Sequence, residues 1–180
     1  MLPVGMLMKE HRVIESMISL IGKNLSLVRK EKKADPCFID TAVDFIRVYA
    51  DKCHHGKEED ILFRELKKKK ISPGHKKIME ELISEHVYGR ETTGKLVEAK
   101  KRYESGDKKA LKDIEENMTG LVRLYPNHID KEDNRFFLPV MDYFSREEKD
   151  AMIKESKDFD MNLIHERYAG IVERLEKSYK

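Results

Sequence analysis

The periodicity of the apolar residues constrains the fold most, because they recur at intervals of three and four along almost the whole chain. This spacing puts apolar side chains on one face of an α-helix, whereas a half-buried β-strand requires strict alternation. The first such stripe lies within residues 4–31 and comprises Met8, Ile14, Met17, Ile18, Ile21, Leu25 and Val28. The pattern therefore predicts an all-α protein.

Proline and capping residues divide this pattern into helices. Pro36 fits the first turn of a second helix that continues to about residue 70, because proline is favoured at the first helical position. Ser72 is a candidate N-cap and Pro73 the first residue of a third helix, which reaches about residue 104. The sequence thus predicts three long helices before Gly106 breaks the pattern.

A fourth long helix and two short ones are predicted after this break. Asp107 can cap the fourth helix, which continues to about residue 143 with a kink at Pro126, where a backbone hydrogen bond is lost. Ser145 and Glu148 form a capping box for a short fifth helix, and a last helix follows at about 160–178.

Four long helices with short connections predict an up-down-up-down four-helix bundle with two short additional C-terminal helices. The length of 180 residues, without an evident linker, indicates a single domain over 1–180. The bundle is expected at about 4–144 and the C-terminal helical extension at 145–180.

Composition argues against several partners and locations. The chain has 36 basic and 34 acidic residues, so it lacks the basic excess typical of nucleic-acid binding. The basic run at 67–70 is interpreted as a solvated helix end. Neither a signal peptide nor a transmembrane span is evident, so no membrane association and a cytoplasmic location are expected. Cys37 and Cys53 are then expected to be free thiols.

The segment CHHGKEEDILF, residues 53–63, carries the first candidate metal ligands. His54 and Glu58 are four residues apart, and so are His55 and Glu59. Residues four apart lie on one face of an α-helix, so either pair could bind a metal ion, but the two pairs point in different directions.

An internal repeat favours the second of these pairs. His128 and Glu132 show the same spacing in the later segment, and Phe136 follows His128 by eight residues. Phe63 likewise follows His55 by eight. Alignment on the two phenylalanines therefore pairs His55 with His128. It also pairs Glu59 with Glu132, the glutamates four residues after these histidines.

The repeat also contains one histidine upstream of each pair. His11 and His86 each follow a glutamate, 44 and 42 residues before the histidine of their own half. The six candidate ligands are His11, His55, Glu59, His86, His128 and Glu132. Four imidazoles and two carboxylates suit iron, manganese or zinc, and carboxylates bridge metal pairs in helical bundles. The spacing predicts two metals, each with a position open to a small molecule.

Three further histidines and one glutamate lie outside this set of six. His54 is expected beside the ligand set or on the surface, and Glu58 is kept as a substitute for Glu59. His75 lies at a helix start, where no role is expected. His165 is left open, since it can face either the bundle or solvent.

Five motifs occur in order over nearly the whole chain: EH near the start, CHHGKEEDILF, EHVYGRE, YPNHIDKED and a late HERY. They resemble the hemerythrin-like family, also called the HHE cation-binding domain. The resemblance implies a four-helix bundle with two iron ions in a non-haem di-iron centre, for which zinc or manganese could substitute. It implies that His11 and His55 hold one iron, that His86 and His128 hold the other, and that the two glutamates bridge.

The chain departs from the oxygen-carrying members of that family. They have a fifth histidine four residues after the one matching His86, and this chain has Arg90 there. They also have an aspartate five residues after the histidine that matches His128. This chain instead has Glu132, four residues after His128. The resemblance therefore favours the branch that contains iron-centre repair proteins and iron- or oxygen-sensing domains. Glu15, at the position equivalent to Arg90, is considered as an extra ligand, a partner of Arg90 or a solvent-facing residue.

Three functions follow as expectations. The first is binding of a small diatomic ligand, dioxygen or nitric oxide, in sensing, storage or iron-centre repair. The alternative is a di-iron enzyme that consumes peroxide or nitric oxide, so whether the protein is an enzyme is left open. A structural zinc site is the third, although zinc favours closed tetrahedral sites. No sequence feature identifies a protein partner.

Overall fold

The computed structural model describes the backbone of residues 2–178 and the side chains of residues 2–163. Within that range the chain is helical without β-strands, so the predicted all-α fold is confirmed. The α-helices are α1 (Val4–Glu31), α2 (Pro36–Phe45), α3 (Arg64–Leu66), α4 (Pro73–Glu104), α5 (Ala110–Lys131), α6 (Phe137–Val140) and α7 (Arg146–Ser178).

Wider π-helical turns interrupt two of the four bundle helices. They form π1 (Ile46–His55) and π2 (Glu58–Phe63) between α2 and α3, and π3 (Glu132–Phe136) between α5 and α6. A short 3₁₀ turn, Met141–Tyr143, precedes α7. The second bundle helix therefore comprises α2, π1, π2 and α3, and the fourth comprises α5, π3 and α6. Because π-helices pair residues five apart, they change which side chains share a face.

The helix boundaries follow local capping chemistry. The Asp35 carboxylate accepts hydrogen bonds from two backbone amides at the start of α2, and Pro36 occupies its first turn. Ser72 caps α4 by accepting from the amide of His75. Ser145 and Glu148 form the predicted capping box at α7, each side chain accepting from the other residue's amide.

The C-terminal region differs in one detail from the sequence expectation. The two predicted helices there form one continuous helix, α7. The capping box does begin a helix, but residues 146–169 contain neither glycine nor proline, so nothing local ends it near residue 160. No helix in the described residues is both long and apolar enough to cross a membrane.

Two apolar clusters divide the bundle core, and a polar layer separates them along α1. Val4 and Leu7 belong to one cluster, together with Phe63 and Phe136. The residues of α1 from Ile14 to Val28 contribute to the other. His11 lies between the two clusters along the helix and is fully buried. The bundle thus surrounds a layer of buried histidines and carboxylates with apolar side chains.

Candidate metal centre

Five histidines and two glutamates converge in this buried layer. One group consists of His11, His54, Glu58 and Glu132, and the other of His55, Glu58, His86 and His128. Within each group, one potential ligand atom per residue lies within 4.8 Å of the others. All seven residues are buried, and Glu58 belongs to both groups.

The first group brings His11 of α1 against His54 of π1. Nε2 of His11 lies 2.9 Å from Nε2 of His54. Nε2 of His11 is also 3.1 Å from Oε2 of Glu132. Nε2 of His54 is 3.4 Å from Oε1 of Glu58. Two imidazole nitrogens and two carboxylate oxygens therefore surround one point.

The second group mirrors the first on α4 and α5. Nε2 of His86 lies 3.2 Å from Nε2 of His128. The remaining oxygen of each glutamate is used here: Oε2 of Glu58 lies 3.3 Å from His86 Nε2, and Oε1 of Glu132 lies 3.1 Å from His128 Nε2. Each buried carboxylate therefore presents one oxygen to each group, as a ligand that bridges two metals would.

A carboxylate stands behind every one of the five imidazoles, on the Nδ1 side. The pairs are His11 with Asp133 at 2.7 Å, His54 with Glu10 at 2.9 Å, His86 with Glu59 at 2.6 Å, His128 with Glu85 at 2.8 Å and His55 with Asp51 at 3.4 Å. An ionised carboxylate only accepts hydrogen bonds, so Nδ1 carries the proton. Nε2 is then directed at the centre, the arrangement typical of metal-binding histidines.

Cations balance these outer carboxylates. Lys57 donates to Glu10, and Lys131 donates to Glu85 at 2.6 Å. Arg12 pairs with Asp133, and Arg90 bonds both Asp51 and Glu59. Burial alone would raise the pKa of Glu10, but hydrogen bonds from His54 and Lys57 lower it below its usual value. The pKa values of Glu59 and Glu85 are lowered as well, so these three glutamates remain ionised and able to accept from the imidazoles.

The inner charges shift each other's pKa values strongly in the metal-free protein. Burial would lower the pKa of His128, but the negative charge of Glu132 and the hydrogen bond that the imidazole donates to Glu85 raise it to about 10. Burial would raise the pKa of Glu132, but His128 and His11 hold it well below its usual range. Without a metal, protons on the imidazoles therefore supply the positive charge beside the glutamates. A bound metal ion would supply that charge instead.

The donor set fits a pair of metal ions. Among the described residues, no hydrogen bond of good geometry reaches any of the four buried oxygens of Glu58 and Glu132. Leaving buried carboxylate oxygens without a partner is costly. Two nitrogens bound at right angles to one metal, with bonds of about 2.1 Å, lie about 3.0 Å apart. The observed separations of 2.9 and 3.2 Å match that value.

The structure brings five of the six predicted ligands into this layer: His11, His55, His86, His128 and Glu132. Glu59 is the exception, because it lies outside this layer. Its side chain is 29 % exposed, and Oε1 accepts from Nδ1 of His86 and from Arg90. Glu58, 0 % exposed, occupies the inner position instead. His54, expected beside the ligands or on the surface, lies in the inner group.

The cause is a shift of one residue in the alignment of the two halves. The side chains that occupy equivalent places are His54 and His128, Lys57 and Lys131, Glu58 and Glu132, and Glu59 and Asp133. The sequence carries a signal for this alignment, because HHGKEE and HIDKED share the pattern His-x2-Lys-Glu-acid. The alignment on phenylalanine did not use this pattern. The prediction also assumed regular α-helical turns where the structure has π1 and π2.

The other candidates lie apart from the centre. Glu15 pairs with Arg12 at 3.1 Å on the exposed side of α1 rather than with Arg90. Nδ1 of His75 is 2.9 Å from the hydroxyl of Tyr143. The side chain of His165 lies outside the described residues.

The family comparison agrees with this geometry. The model of the hemerythrin HHE cation-binding domain matches residues 2–138. The chain belongs to the hemerythrin HHE family. The matched segment contains every residue of the two groups, whereas α7 lies beyond it. No curated protein and no solved structure shows significant similarity to the chain. Hemerythrin HHE domains bind cations, and the histidine and glutamate groups of this one fit a metal site.

Proposed function

We propose that the protein is a non-haem di-iron protein that binds a small diatomic ligand, dioxygen or nitric oxide, in sensing, storage or iron-centre repair. One observation carries the proposal: each buried glutamate presents one oxygen to each histidine group. A single metal would need only one of these groups. Two groups that share both carboxylates support a pair of metals.

The number of donors favours iron over zinc. Around the second group stand three imidazoles and the two glutamates, a set of five donors. Zinc in structural sites is almost always four-coordinate and tetrahedral. Iron and manganese accept mixed nitrogen and oxygen ligands at higher coordination number. Iron is therefore the proposed native metal, for which zinc or manganese could substitute.

The two metal positions are unequal. The first group offers two imidazoles, from His11 and His54, while the second offers three, because His55 joins His86 and His128. His55 of π1 would thus take the part of the fifth histidine, since this chain has Arg90 at the position expected for it. The position with fewer protein donors is the one proposed to bind the diatomic ligand.

The surrounding residues would exclude water and hold the imidazoles in place. The Phe137 ring stacks on His11 with 5.5 Å between ring centroids, and Phe63 lies parallel to His86 at 6.1 Å. Both phenylalanines are fully buried. Bound iron would supply a redox-active Lewis acid. The apolar wall and the outer carboxylates would tune its affinity for oxygen or nitric oxide.

The test is the metal content of anaerobically purified protein, followed by spectroscopic titration with oxygen and nitric oxide. About two irons per chain are expected, as in other dinuclear bundles. His128→Ala should lower that ratio, whereas His75→Ala, which removes a histidine outside the centre, should not. A wild-type protein that binds one zinc, or no iron after loading, would contradict the proposal.

The alternative function, an enzyme that consumes peroxide or nitric oxide, is distinguished by turnover. Tyr125 is buried, and its ring lies 6.4 Å from that of His55. A phenol this close to the centre could supply a proton during turnover. Continuous consumption of peroxide or nitric oxide by the iron-loaded protein, reduced in Tyr125→Phe, would assign the enzyme. Stoichiometric binding without consumption would assign the binding protein.

A further inference from the structure

The five inner histidines are not held equally. Four Nδ1 atoms donate to their carboxylates over 2.6–2.9 Å. The fifth, on His55, lies 3.4 Å from Oδ1 of Asp51, at the limit of a hydrogen bond. Since these outer contacts fix the orientation of each ring, His55 is the least restrained of the five.

Asp51 is oriented by a different partner. The oxygen that faces His55 also accepts from Nε of Arg90 at 2.8 Å. The same guanidinium donates to Glu59 at 2.7 Å, so both ends of Arg90 are engaged. Charge-assisted bonds of this kind are stronger than a bond from a neutral imidazole. Asp51 would therefore keep its position if His55 moved away.

Space for such a movement lies beside the ring. A cavity of about 90 Å³ adjoins His55, and its walls include Asp51, Gly89, Arg90, Thr93 and Tyr125. This volume is roughly three times that of a water molecule in the liquid, which is about 30 Å³. The cavity is large enough to receive part of an imidazole ring.

The remaining ligands form a complete set without His55. In the alignment of the two halves, the position of His55 corresponds to Ile129, so the repeat does not require a histidine there. Each group then keeps two imidazoles and shares two carboxylates. Loss of His55 from the second metal would therefore leave both metals with equal protein ligands.

We propose that His55 is a displaceable ligand: its imidazole moves into the adjacent cavity, and a metal held by His86 and His128 would then offer a position to a diatomic molecule such as nitric oxide. The centre would then take up two small ligands, one on each metal, the first at the open position and the second in place of His55. This inference rests on the proposed di-metal function.

The test compares iron content and nitric oxide stoichiometry in four proteins under anaerobic conditions. Wild type should bind two nitric oxide molecules per chain, the second more weakly. His55→Ala should retain both irons and bind the second molecule about tenfold more tightly, because the closed conformation no longer competes. Thr93→Ile, which narrows the cavity, should retain both irons and lose the second molecule. His54→Ala, the control, should lose iron.

The outcomes separate the two proposals. A wild-type protein without two metals would overturn the proposed function itself. Two irons in wild type but a loss of iron in His55→Ala equal to that in His54→Ala would make His55 an ordinary ligand and overturn the inference. Uptake of a single nitric oxide by both wild type and His55→Ala would overturn it as well.

Discussion

The two halves of the molecule carry the same kinds of candidate ligands in different structural surroundings. The first half comprises α1 with π1 and π2, and the second comprises α4 with α5 and π3. Each half carries a Glu-His pair on one helix and His-x2-Lys-Glu-acid on the next. In both, the lysine bonds the glutamate that orients the inner histidine. What the halves share is therefore the metal-binding unit, and their differences reveal what each half adds.

Among the described residues, α7 contacts π1 and π2 of the first half. Lys57 donates to Asp160 of α7 at 2.7 Å as well as to Glu10, and its side chain is 1 % exposed. Lys131 in the second half is 12 % exposed. Its second partner besides Glu85 is Glu81 of α4. The ammonium of Lys57 thus occupies an acidic site closed by the C-terminal helix.

The largest expected effect tests whether the two inner glutamates are equivalent. Glu58→Gln and Glu132→Gln should each abolish the binding of a metal pair, since each removes a charged bridge from both groups. Glu59→Gln removes only an outer partner of His86 and should weaken metal affinity by about 10- to 100-fold. Metal analysis and competition with a chelator would measure this. Loss of iron in Glu59→Gln, with binding intact in Glu58→Gln, would reverse the assignment.

This pair of residues also shows where sequence reasoning reached its limit. The helices were predictable because capping and apolar periodicity are local, as with Ser72 and the capping box of Ser145 and Glu148. The choice between Glu58 and Glu59 was not, because π-helical turns change the face on which each residue lies. The outer pair His11 and Asp133 is separated by 122 residues, so no local spacing could have indicated it.

The second expected effect tests the unequal burial of the two lysines. Lys57→Met should lower the free energy of unfolding by about 2 kcal/mol, since it removes a buried cation and leaves the half-buried carboxylates of Glu10 and Asp160 without their partner. Lys131→Met should cost less than about 1 kcal/mol, as expected for a more exposed ion pair. Urea denaturation of the metal-free proteins would compare them. Equal losses would mean that α7 does not make the first half different.

A third expectation concerns the protons that both halves carry before metal binds. Burial alone would lower the pKa values of His11 and His86. Glu132 raises the pKa of His11 above its usual value, and Glu58 does the same for His86. The pKa of His128 is raised to about 10. At pH 7 the proton on His128 must leave when metal binds, so affinity should rise with pH. The change should be about tenfold per unit for each displaced proton. Metal titration in weak buffer at pH 6 to 8 would show acid release, and a pH-independent affinity would contradict this charge state.

The smallest expected effect tests the contact between α7 and the first half directly. A Cβ on Gly56 would lie 2.8 Å from Cζ of Phe159, closer than atoms tolerate, whereas the equivalent position in the second half is Asp130. Gly56→Ala should therefore destabilise the protein by about 1 kcal/mol, as the ring of Phe159 must shift. Gly94→Ala is the matched control, because a Cβ there meets nothing within 4 Å.

Gly94→Ala should stabilise the protein by up to about 1 kcal/mol, since alanine is the better helix former. Opposite signs for the two glycines in thermal unfolding would locate the contact of α7 at Gly56. Equal stabilisation would show that α7 leaves this surface free in solution. The first half would then be as open as the second, and the asymmetry of the centre would depend on His55 alone.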